Sequence, residues 1–206
     1  MAFYTKHGDG LVYYHHGTQQ SPVSFSFMWS EDGGQSFSKA KVLITNYPFD
    51  AGNRPYVKYY SKGENRIHLV FTDGHPRNES KNSVYYAYYE GGAFWKVNGD
   101  KICTLEELPF SPKDASLVYQ GSDQQGRAWV YDISADEQNR PIIAYARYLS
   151  EEEHIYHYTR YDGKNSTTLR IKNKPIDNPP IVQKGFSRPG AVRVLITTSQ
   201  SPQSPA

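Results

Sequence analysis

The residues of this sequence that suit proton transfer and anion binding are His7, the Asp73–His75 pair, and Arg147 beside Tyr148. A histidine can take up or release a proton near neutral pH. An arginine presents a planar fork that fits both oxygens of a carboxylate. A tyrosine adds a stacking ring and a phenol able to act as an acid or to steady an anion. Together they suit the handling of an acidic sugar. Each also has a plainer role. His75-Pro76 reads as a turn, His7 lies close to the amino terminus, and Arg147 could pair with Glu151, Glu152 or Glu153. Arg54 and Tyr56, in Arg54-Pro55-Tyr56 at the start of an expected strand, form a second set of candidate substrate contacts. Asp73 and Asp132 are the carboxylates a hydrolytic pair would draw on, which requires a separation of about 5–9.5 Å. Tyr86 is a candidate acid inside a cluster, Tyr85-Tyr86 and Tyr88-Tyr89, whose simpler role is packing between sheets. His15-His16 is a poor metal pair, because adjacent residues of a strand face opposite sides.

What would gather residues so far apart is an internal repeat. Residues 65–73, Asn65-Arg66-Ile67-His68-Leu69-Val70-Phe71-Thr72-Asp73, align with residues 139–147, and residues 84–92 align with 155–163. Each half runs as an apolar strand, a polar loop, a strand alternating in tyrosine, a glycine turn and a final strand. Residues 3–7 match 70–74 and begin a third copy. Units of this length, built of short strands and joined by Gly and Asn turns, are the blades of a β-propeller. The units run approximately over 1–46, 54–102 and 115–172, fewer than the four to eight blades of a closed ring, so a fragment of a longer protein is expected. Equivalent ends of the inner strands ring the central channel of a propeller, which nominates His7, His75 and Arg147 as neighbours in space.

Composition narrows the function classes. The 206 residues carry 15% aromatics and a net charge of +2, which gives no electrostatic case for nucleic acid or an anionic membrane. No apolar run is long enough for a membrane helix, and no secretory leader opens the chain. The single cysteine, Cys103, excludes an internal disulfide and a cysteine-rich metal site, and reads as a buried or strand-edge thiol. No cofactor is called for, with a divalent cation that bridges structure or substrate left open. Helix signals are sparse. From about residue 173 to 206 the chain is rich in proline, serine and basic residues and is expected to be a poorly ordered tail.

Ser30-Glu31-Asp32-Gly33-Gly34-Gln35-Ser36-Phe37 has the form S-x-D-x-G-x-x-F, a hairpin written in turn residues, with Phe37 able to fold back over it. This octapeptide resembles the Asp box of BNR-repeat, sialidase-like propellers. The segments Phe71-Thr72-Asp73-Gly74-His75-Pro76, Asn82 to Trp95, and Gly126-Arg127-Ala128-Trp129-Val130-Tyr131-Asp132-Ile133 resemble BNR-repeat proteins of polysaccharide-degrading bacteria. The resemblance covers about residues 3–172 and departs at Ser166, where an aromatic is usual. It implies an all-β, sialidase-like propeller of about three blades from a ring of seven, and relatives such as ulvan lyases and α-L-rhamnosidases. The sialidase Phe/Tyr-Arg-Ile-Pro motif is absent. By this likeness the favoured activity is β-elimination on a uronic-acid polysaccharide, with Arg147 neutralising the carboxylate, His75 or His7 as base and Tyr148 or Tyr86 as acid. A glycoside hydrolase and a non-catalytic glycan-binding propeller are the alternatives. The partner is then an acidic polysaccharide or oligosaccharide, and a secreted or periplasmic location is expected.

Overall fold

A computed structural model of the protein describes residues 2–4, 11–15, 24–30, 32–45 and 55–171. His7, Arg54 and the 173–206 tail lie outside the described residues.

The described chain is all-β apart from one 3-10 turn, Pro112–Asp114. β1 (Ala2–Tyr4), β2 (Leu11–His15), β3 (Ser24–Met28) and β4 (Lys41–Thr45) form one antiparallel meander. A second sheet runs through β5 (Val57–Tyr60), β6 (Ile67–Thr72), β7 (Val84–Glu90), β8 (Ala93–Trp95) and β9 (Lys101–Thr104). A third comprises β11 (Arg127–Ala135), β12 (Pro141–Tyr148), β13 (His154–Tyr161) and β14 (Ser166–Arg170). The intervening strand, β10 (Ser116–Tyr119), joins the second sheet rather than the third. The reason is local. β8 pairs only with the far half of β7, so Val84–Tyr86 would be an open edge unless β10 covered it.

The second sheet is sandwiched between the other two. β6 is buried along its whole length, and its period-2 alternation sends successive residues to opposite cores. Ile67, Leu69 and Phe71, with Tyr85 and Tyr89 of β7, pack against Phe27, Leu43 and Ile44 of the first sheet. Val70, Val84, Tyr86 and Tyr88 pack against Ala128, Val130, Ile143 and Tyr145 of the third. The tyrosine clusters are therefore blade packing. A buried polar chain crosses the second interface, where Tyr86 Oη meets His68 Nδ1 at 2.7 Å and His68 Nε2 meets Asn139 Oδ1 at 2.9 Å. An amide oxygen can only accept, so Nε2 carries the proton, Nδ1 accepts from the Tyr86 hydroxyl, and the ring is neutral. Burial holds His68 down at about 4.

Turn chemistry closes the hairpins. Asp32 accepts from Ser36 N–H (2.9 Å), Ser36 Oγ (2.6 Å) and Ser30 Oγ (2.7 Å), and these bonds, led by the Ser36 hydroxyl, hold its carboxyl far below the usual range. Phe37 remains 42% exposed. Gly91 and Gly92 turn β7 into β8, and Gly163 turns β13 into β14, all at positive φ. Despite Ser166, β14 pairs with β13 from Ser166 to Arg170. Cys103 is buried on β9, and burial pushes its thiol up to about 11. Among the described residues no helix is long and apolar enough to cross a membrane, and no cluster of His, Cys, Asp or Glu could hold a metal ion.

Candidate functional site

At the sheet ends where β6 leaves for β7 and β12 turns into β13, a groove of about 440 Å³ opens between the second and third sheets. The second sheet contributes the 73–83 loop, with His75, Arg77, Asn78 and Glu79 on the wall. The third contributes Arg127, Tyr148, Glu151 and His154.

The loop is held at both ends. Asp73 accepts from Ser83 N–H (2.7 Å) and from the Tyr85 hydroxyl (3.1 Å), and burial raises its carboxyl. Asn82, fully buried, reaches both walls. Its Oδ1 accepts Gly74 N–H at 2.8 Å, its Nδ2 donates to the Ala128 carbonyl at 2.8 Å, and its own carbonyl accepts Ala128 N–H at 2.8 Å. The loop that carries His75 is thereby tied to the residue following Arg127. His75 lies against Tyr56 (centroids 5.5 Å) and Trp129 (5.0 Å), which are themselves 4.8 Å apart. Its Nδ1 accepts Arg77 N–H at 3.1 Å, so the neutral tautomer has its proton on Nε2. Partial burial, then the Arg77 charge, lowers its pKa and favours that neutral form.

Strand pairing builds the opposite wall. Arg127 pairs with Tyr148 across β11 and β12, and Tyr148 pairs with His154 across β12 and β13. Directly opposed residues share a face, so the three form one row at the sheet end. The Tyr148 and His154 rings are 4.1 Å apart, and the Arg127 guanidinium sits 5.9 Å from the Tyr148 ring. Gly126 permits this approach. It has φ +82°, and a Cβ there would come within 2.2 Å of the Tyr148 carbonyl oxygen. Arg127 Nη2 is bonded to Glu151 Oε1, whereas its Nε is buried without a hydrogen-bond partner among the described residues.

Of the residues nominated by the repeat, the groove brings together His75 and Tyr148, with Tyr56 behind His75. Arg147 is elsewhere. Being adjacent to Tyr148 on a strand, it points to the other face, where Nε and Nη2 both donate to the Gln125 carbonyl (3.1 and 2.8 Å) and the guanidinium covers Tyr119 (5.2 Å). It pairs with none of the three expected glutamates among the described residues; Arg127 takes Glu151 instead. Tyr86 is 1% exposed in the core, bonded to His68, and cannot meet a ligand in the groove. Asp73 is engaged in closing its loop, and Asp132 is an exposed mid-strand residue opposite Ala144, outside the groove. Neither carboxylate lines the groove. Arg127, His154 and Asn82 escaped the sequence reading. Arg127 lay in the quoted segment after Gly126, and the 149–153 turn sets His154 opposite Tyr148 once the hairpin register is known.

Comparison with solved structures finds an ulvan lyase of polysaccharide lyase family PL25 bound to -[GlcA(1-4)Rha3S]-, and the same kind of enzyme without that ligand. Each superposes with a TM-score of 0.62 at 15% sequence identity, over 82% of this chain and 42% of the lyase chain. The chain thus spans less than half the length of those lyases. With the three stacked antiparallel sheets, the likeness shows the fold: about three blades of a sialidase-like β-propeller. No curated protein matches the sequence. The description "BNR repeat-containing family member" matches residues 2–174, and the chain belongs to that family.

Proposed function

We propose that the protein acts on carbohydrate as a polysaccharide lyase, cleaving a uronate-containing chain by β-elimination in the groove between the second and third sheets. The observation that carries this reading is the row Arg127–Tyr148–His154 facing His75 across an open groove. The solved lyase with a glucuronate-containing ligand supports an acidic polysaccharide partner. An extracellular or periplasmic location goes with such a substrate.

In this reading Arg127 replaces Arg147 as the group that binds the uronate carboxylate and makes the C5 proton more acidic. His154, whose ring lies against Tyr148, takes that proton. The C5–H electrons form the C4=C5 double bond, the C4–O4 bond breaks, and Tyr148 gives its phenolic proton to the departing O4. The protonated His154 then returns its proton to the Tyr148 phenolate, whose ring it contacts, so the pair regenerates itself without a cofactor. His75 in its Nε2–H tautomer is a donor, which suits a sugar oxygen better than proton abstraction. Tyr56 and Trp129 brace that ring by packing against it.

Incubation with a glucuronate-containing polysaccharide tests the reading. A lyase yields a product with the ultraviolet absorbance of the 4,5-unsaturated sugar. New reducing ends without that absorbance would make the protein a hydrolase, and binding without any cleavage would make it a glycan-binding propeller.

A further inference from the structure

The Nε–H and Nη2–H of an arginine lie on one edge of the guanidinium and are spaced to meet both oxygens of a carboxylate. Arg147 closes that edge over a single acceptor, the Gln125 carbonyl, with both groups. Arg127 uses only half of it. Nη2 holds Glu151 Oε1, while the neighbouring Nε is buried with no acceptor among the described residues, an unfavourable state for an N–H. The two partners differ in anchorage. The Arg127 side chain is 23% exposed and set by the β11–β12 pairing, whereas that of Glu151 is 85% exposed on the 149–153 turn. Among the described residues the Glu151 carboxylate makes no second hydrogen bond. The turn itself does not need it, since Leu149 N–H bonds the Glu153 carbonyl and Ser150 Oγ accepts from Glu152 N–H and Glu153 N–H.

We propose that Glu151 is a built-in competitor for the substrate's anionic group: it occupies half of the Arg127 edge in the empty groove and must swing out when a sugar carboxylate takes both N–H groups. This rests on the groove being a uronate site. Glu151 then sets specificity. A neutral sugar cannot replace the lost ion pair, a monodentate anion gains only what it displaces, and a planar carboxylate gains the extra bond to Nε. The turn lets Glu151 leave by side-chain rotation alone.

Calorimetric titration of the full chain with a glucuronate oligosaccharide, and with the same oligosaccharide after reduction of its carboxyls, tests this. Glu151→Ala is expected to lower Kd for the acidic oligosaccharide by about two- to fivefold, the range of an exposed ion pair, with no change for the reduced one. Glu152→Ala removes an equal charge next door, which forms no ion pair among the described residues, and should leave both constants unchanged. Unchanged or weaker acidic binding in Glu151→Ala, an equal gain in Glu152→Ala, or a gain for the reduced sugar each overturns the competitor role. Ultraviolet assay of the same proteins keeps the two readings apart. Differential binding without unsaturated product would sink the lyase and keep the competitor, and unsaturated product without differential binding would do the reverse. No binding of either oligosaccharide by the unaltered protein would sink both.

Discussion

Arg127 and Arg147 stand at the same end of the third sheet, on neighbouring strands and on opposite faces. Arg147 lies against Tyr119 of β10, outside the groove, and its edge is filled by a main-chain carbonyl and its plane by that ring. Arg127 looks into the groove, where its edge is half filled by an exposed glutamate and its neighbours are Tyr148, Glu151 and His154. One arginine is a satisfied part of the architecture and the other keeps binding capacity in reserve. Residue type and strand position are shared; only the face differs. Chemistry should therefore follow the outer row, and stability the inner one.

The strongest way to break this contrast is to remove the proton donor of the outer row. Tyr148→Phe keeps the ring against His154 and is expected to lower kcat by about 10²–10⁴, the usual worth of a positioned acid, with thermal stability nearly unchanged. Steady-state turnover of a glucuronate polysaccharide measures this, and a variant within a few fold of the parent would remove Tyr148 from the chemistry.

The inner interface should instead show itself in stability. His68 is held neutral at about 4 in the folded chain against its ordinary 6.5, so the unfolded chain binds more protons between those values. Stability then falls as the pH drops from about 6.5 to about 4, by up to about 3 kcal/mol, and flattens below. Denaturant titrations across that window in the parent and in His68→Gln would show the slope in the first and a shallower one in the second.

Asn82 joins the two regions and sharpens the comparison from between them. Asn82→Ala leaves the Ala128 carbonyl and Gly74 N–H without their side-chain partner and should cost about 1–3 kcal/mol in stability. It should also lower turnover, since the loop carrying His75 loses one tie to the strand carrying Arg127. A loss of stability with kcat and KM intact would show that the loop is placed by other contacts.

The architecture was largely legible because its signals are local. The alternation in β6, the paired tyrosines of β7 and the glycine turns each report the sheet they belong to. The site was legible only in part. Repeat alignment pointed to the sheet end where the groove opens, and so to His75 and Tyr148, which line it. A period of two, however, makes a shift of one residue a change of face, and alignment could not say which of Arg147 and Tyr148 met the groove. Arg127 came from a different strand, brought alongside Tyr148 by a pairing between chain segments that no residue type announces. Asn82 drew notice only as the first residue of a quoted segment, and its value lies in three bonds that tie the loop to the neighbouring sheet. Tyr86 was misplaced for the same reason as Arg147, since its ring lies on the buried face packed against the third sheet, where its hydroxyl is spent on His68 of the neighbouring strand.

The most direct test sets the two arginines side by side in one ultraviolet assay on a glucuronate polysaccharide. With Arg127→Ala the unsaturated product should form about 10²–10³ times more slowly, the loss expected of a group that stabilises developing charge. With Arg147→Ala the rate should stay within about twofold, while stability drops by about 1 kcal/mol through the lost bonds to Gln125. The opposite pattern, with Arg127→Ala active and Arg147→Ala inactive at unchanged stability, would contradict the account.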